Sequence, residues 1–119
     1  MSDKVRQKQQ RDAQLEADRI RLLLRRHGGR DYDAFHEDEH YEGGFEIQVA
    51  KDGGPHYVGG FHYDPFRVWP PLMRQHAKTL TEHGYQVKVV SHYDDGEILE
   101  VRAPAKPPRG GWLRALFRG

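Results

Sequence analysis

The sequence predicts an α+β fold: a small two-layer ββαββ module, with a mainly antiparallel four-stranded sheet under one helix, preceded by a long charged N-terminal helix. Three observations carry this. Asp3 to His27 holds no Pro or Gly and is rich in strong helix formers. Four short stretches between Phe45 and Ala103 alternate apolar and polar residues, the period of half-buried strands. One amphipathic run, closed by Gly84, lies between the second and third of them.

In the N-terminal helix, Ser2 or Asp3 caps the start and Gly28-Gly29 stops it. Its first half is nearly all polar. Further on, Ala13, Ala17, Ile20 and Leu24 fall at steps of 4, 3 and 4 and share a face, and Leu15, Leu22 and Leu23 read as widening it. The second half is expected to dock, while the first half projects or pairs weakly with a copy of itself. Too few apolar heptads are present for a sustained coiled coil. Residues 30–44 read as an acidic, His-rich linker.

Phe45, Ile47 and Val49 alternate with Glu46, Gln48 and Ala50 in the first strand. Asp52-Gly53-Gly54-Pro55 turns the chain into a second strand over Tyr57 to His62. Inside it, Gly59-Gly60 predicts a bulge or a close backbone approach. Asp64-Pro65-Phe66 reads as a turn, and Pro70-Pro71 as the opening of the helix. Leu72, Met73, His76, Ala77, Leu80 and His83 form that helix's inward face. Tyr85, Val87 and Val89 mark a third strand, Tyr93-Asp94-Asp95-Gly96 a tight hairpin, and Leu99, Val101 and Ala103 a fourth strand. The far face of the sheet is left polar, either wet or covered by the N-terminal helix. Four segments result: the charged helix 1–29, the linker 30–44, the core 45–103, and a basic Pro/Gly-rich tail 104–119 with a short amphipathic segment.

At 119 residues the chain suggests one domain. A core confined to 45–103 gives only roughly 3–5 kcal/mol, so the helix, a partner or a ligand is expected to add stability. With no Cys, disulfides and thiolate metal sites are excluded. No apolar run is long enough to span a membrane and the start lacks a secretory apolar region, so a cytoplasmic protein is expected. The net charge of +1 hides a strong pattern. Residues 1–30 carry nine Lys/Arg against four Asp/Glu, whereas 31–64 carry one Lys against nine acids. Residues 65–103 balance five against five, and 104–119 carry four basic residues and no acid. Basic ends of this kind suit an acidic partner.

His36-Glu37-Asp38-Glu39-His40 satisfies the letters His-Glu-x-x-His. Over those five residues it resembles the zinc-protease motif, in which two imidazoles on one helix face hold zinc and the Glu activates water. Here it sits in an acidic run beside Gly43-Gly44, not in an amphipathic helix. A looser reading makes His36, Asp38 and His40 adventitious ligands for a divalent metal, with no resident cofactor. Ser2 and Ser91 lie in no nucleophile elbow, and the Gly pairs precede no helix. Arg19, Arg21, Arg25, Arg26 and Arg30 cluster near the end of the first helix, where guanidinium forks suit phosphates or an acidic protein. Trp112, Leu113, Leu116 and Phe117 form a short amphipathic tail suited to a groove on a protein partner or to an anionic membrane surface. The expected function is therefore a non-catalytic binding or adaptor protein, acting through the basic helix and the tail. A nucleic-acid-binding accessory protein using the Arg-rich arms is the alternative, and a metal-dependent hydrolase through His36 to His40 is the third reading. Self-association through the N-terminal helix is a further expectation.

Overall fold

The computed structural model describes residues 3–32, 43–62, 65–92 and 96–104. The elements run α1 (Asp3–Arg26), β1 (Gly43–Gln48), β2 (His56–His62), α2 (Pro65–Glu82), β3 (Gln86–His92) and β4 (Gly96–Arg102). All strands pair antiparallel in the order β1-β2-β4-β3, so α2 carries the chain across the sheet to its far edge. The predicted α+β architecture holds.

Each turn follows from local chemistry. Lys51 to Gly54 closes with a 2.9 Å amide–carbonyl bond. Its central residues, Asp52 and Gly53, both have positive φ, the conformation that joins right-twisted strands. Gly28 ends α1 in a left-handed conformation, with the Gly29 amide bonded to the Leu24 carbonyl and the Gly28 amide to that of Arg25. Gly84, with Tyr85 bonded to Leu80, ends α2 in the same way.

Both helices lie on one face of the sheet. Ala17, Ile20 and Leu24 of α1 are fully buried in a single cluster with Phe45, Ile47, Val58, Trp69, Met73, Leu80, Leu99 and Val101. The far sheet face is therefore not covered by α1. It carries Glu46, Gln48, Phe61, Gln86, Lys88 and Arg102, all exposed, along with a buried Ile98 that sequence alternation does not single out. The widening of the α1 stripe is corrected in part. Leu23 packs against the core, but Leu15 and Leu22 are 55% and 52% exposed. At 100° per residue those two point away from the Ala17–Leu24 face.

The opening of α2 is also corrected. The helix begins at Pro65, and Pro70 and Pro71 lie inside it. Those prolines leave the carbonyls of Phe66 and Arg67 without their helical donors, at a cost of up to about 3 kcal/mol each. The early start has a purpose: it brings Trp69 into the core. The Trp69 indole is almost entirely buried, and its Nε1–H donates to the Glu97 carbonyl at 2.8 Å. It lies flat against Gly60, where any Cβ would overlap the ring. Of the two readings of Gly59-Gly60, close approach holds, because the β1–β2 register runs through both residues without a bulge.

Gly60→Ala is therefore expected to destabilise the protein by about 1–3 kcal/mol through overpacking. Gly59→Ala, which meets only an ordinary 3.4 Å contact with Ile98, is expected to stay within about 0.5 kcal/mol. Urea unfolding of the two variants, followed by Trp fluorescence, checks the contrast.

Candidate functional site

Docking α1 through Ala17, Ile20 and Leu24 fixes where its other side chains point. The face opposite the core carries Lys4, Lys8, Arg11, Leu15, Arg19, Leu22 and Arg26, at steps of 4, 3, 4, 4, 3 and 4. All seven are exposed. This pattern repeats every 11 residues, close to the helical period, so the stripe stays straight along about 33 Å of helix. It holds five cations and two leucines and no acid.

The acids of α1 lie elsewhere. Asp18 accepts from Gln14 and from Arg21, at 3.1 and 3.3 Å. Asp12 and Glu16 turn toward a cleft of about 410 Å³ between the first half of α1, the β1–β2 turn and the end of β4. Gln9, Gln10, Asp52, His56 and Arg102 also line it.

Glu16 is the hub of that cleft. It accepts a hydrogen bond from the Tyr85 hydroxyl and pairs with Arg19 at 3.0 Å. Burial and the Glu16 hydrogen bond push the Tyr85 hydroxyl up to about 12. His56 is only 4% exposed, and its Nδ1 accepts the Ala50 amide at 3.0 Å. That bond places the neutral ring's proton on Nε2. Burial lowers the pKa of His56 below 6.5, and the nearby Glu16 charge opposes this less strongly.

The arginine cluster expected from sequence divides in two. Arg21 and Arg25 both reach across the helix end to Asp31, with Arg21 Nε 3.2 Å from Oδ1 and Arg25 Nε on Oδ2. Arg30 and Tyr32 bracket the same aspartate by bonding Phe45 on the outer edge of β1. These two guanidinium groups tie α1 to the sheet edge instead of facing outward together. Arg19 and Arg26 do share the outward stripe, and Arg30 is exposed beyond it. Sequence reading missed Lys4, Lys8 and Arg11, although the acid-free 11-residue period is visible in the chain. It also missed His56, whose signal is a polar residue in phase with Val58 on the inward side of β2.

His36, Asp38 and His40 lie outside the described residues, as do Trp112, Leu113, Leu116 and Phe117. Among the described residues, no group of three or more His, Cys, Asp or Glu side chains is placed to hold a metal. No helix among them is long and apolar enough to cross a membrane. Comparisons with protein-family models, curated proteins and solved structures found no match.

The lowered His56 pKa has a definite sign in stability. As pH falls below 6.5, the unfolded chain takes up the proton first, so stability drops until the folded protein's own value is reached. His56→Asn keeps an acceptor for the Ala50 amide and does not titrate. It is expected to flatten the acid limb of a urea-midpoint-versus-pH profile, while the alkaline loss between 10 and about 12 from Tyr85 remains.

Proposed function

We propose that this chain is a non-catalytic adaptor that docks an acidic, amphipathic segment of a protein partner on the outward face of α1. The observation that carries the reading is the straight, acid-free row of Lys4, Lys8, Arg11, Leu15, Arg19, Leu22 and Arg26 on a helix anchored from its other side. Five cations favour an anionic partner. The interleaved Leu15 and Leu22 favour a protein over a polyphosphate, because burying them rewards an apolar counterpart and gains little against phosphate oxygens. Pairing two copies through this face would oppose cation to cation, so the reading does not extend to self-association there. The tail residues Trp112, Leu113, Leu116 and Phe117 supply a second contact in this reading, on their amphipathic spacing alone.

A nucleic-acid accessory role remains the competing reading, supported by the same cations, and the two make different demands on the leucines. The test uses a helical peptide of about 25 residues carrying Glu and Leu at matching steps, with a DNA duplex and a single-stranded RNA in parallel. Fluorescence anisotropy at low and moderate salt reads both. Peptide binding is expected to weaken about tenfold or more in Lys8→Glu/Arg11→Glu/Arg26→Glu, and by a clear fraction of that in Leu15→Ala/Leu22→Ala. Arg21→Ala is expected to act on stability, by about 0–1 kcal/mol, rather than on the partner. Binding of nucleic acid alone, steep in salt and indifferent to the leucine changes, overturns the protein reading in favour of the other.

A further inference from the structure

The cleft beside α1 contains a buried donor that meets no acceptor among the described residues. His56 Nδ1 is taken by the Ala50 amide, which leaves the proton on Nε2. That N–H finds no hydrogen-bond partner among the described residues, although the side chain is almost wholly buried and lines the cleft. A buried, unmet donor costs about 1–3 kcal/mol, so the site favours any occupant that accepts from it. Across from it stands Glu16, itself mostly buried, with its charge felt at His56.

The rest of the lining narrows the chemistry. Asp12, Glu16 and Asp52 accept, and the Gln9 and Gln10 amides both donate and accept, whereas the Arg102 guanidinium pairs with Glu100 on the far face of the sheet. A small cation would satisfy the carboxylates but oppose the Nε2–H. An anion would suit His56 but meet three carboxylates. An apolar ligand would leave the His56 donor unmet. A hydroxyl accepts from one side and donates to the other, which is what the space between His56 and Glu16 requires. The cleft volume of about 410 Å³ far exceeds one water and lies within the usual range for small-molecule sites.

We propose that this cleft binds a small neutral polyhydroxylated molecule, of the size of one or two sugar rings, with one hydroxyl bridging His56 Nε2–H and the Glu16 carboxylate. Neighbouring hydroxyls donate to Asp12 and Asp52 and exchange bonds with the Gln9 and Gln10 amides. The site is separate from the outward face of α1 and does not rest on the adaptor reading.

The experiment is an NMR titration of the full-length, isotope-labelled protein with glucose, mannose, ribose and myo-inositol. Putrescine and inorganic phosphate serve as charged probes. Imidazole nitrogen shifts first establish the tautomer, and a proton on Nδ1 would overturn the proposal. The expected result is a saturable shift of the His56 ring and the Ala50 amide with at least one polyol, at millimolar or tighter affinity. His56→Asn, which keeps an acceptor for the Ala50 amide but whose shorter side chain places no donor at the Nε2 position, is expected to weaken that binding about tenfold. Three outcomes sink it: no saturable shift with any of the four polyols up to the order of 50 mM, preference for either charged probe, or undiminished binding in His56→Asn.

Discussion

The rotation of α1 about its own axis is the constraint on which both candidate surfaces depend. Ile20 and Leu24, fully buried, each contribute about 1.5–3 kcal/mol of transfer free energy, and Ala17 lets the backbone come close. The end of the helix is then pinned twice: its left-handed Gly28 turn sends the chain to the outer edge of β1, and Asp31 holds both Arg21 and Arg25. These exposed ion pairs add little stability individually, since solvent screens them. Their effect is directional. With the inward face and the helix end both fixed, Lys4 to Arg26 has one orientation to solvent and Glu16 one orientation to the cleft.

Much of this was legible in the chain, for identifiable reasons. Helix periodicity found Ala17, Ile20 and Leu24 because a step of 3 or 4 admits one face only. Strand alternation found Ile47, Leu99 and Val101 for the same reason at period 2. The Leu15 and Leu22 misreading shows the limit: hydrophobicity alone does not say which apolar residues join a stripe, whereas their angular position does. The partition of the arginines was not legible, because it depends on Asp31 returning beside β1, a contact set by tertiary path and not by helix pattern. Strand order was closed for a like reason. Nothing local says that β2 pairs with β4 across α2 instead of leaving β1 and β2 as a separate hairpin.

The start of α2 shows two rules in competition. Proline at the first turn of a helix is a sound expectation, and Pro70-Pro71 invites it. The chain instead begins the helix at Pro65 and tolerates the pair inside. Burying an indole of the size of Trp69 is worth about 3–5 kcal/mol against its loss to Ala, and its bond to the Glu97 carbonyl adds to that. The gain is comparable to the strain at the two prolines. Gly60 completes the exchange, since only a residue without a Cβ leaves room for the ring. Trp69 therefore spans β2 and β4, the pairing that makes four strands one sheet.

Arg19 links the two surfaces. It stands on the outward row, largely exposed, yet its guanidinium pairs with Glu16, whose carboxylate also receives Tyr85 and faces His56. An acidic partner drawing Arg19 outward would remove one cation from Glu16 while leaving the Tyr85 bond in place. Glu16 would then be a more demanding acceptor in a mostly buried setting, and its pull on His56 would rise. In the readings proposed above, the outer face and the cleft are therefore energetically coupled through one exposed ion pair, and the coupling is bounded by the small worth of such a pair, about 0–1 kcal/mol.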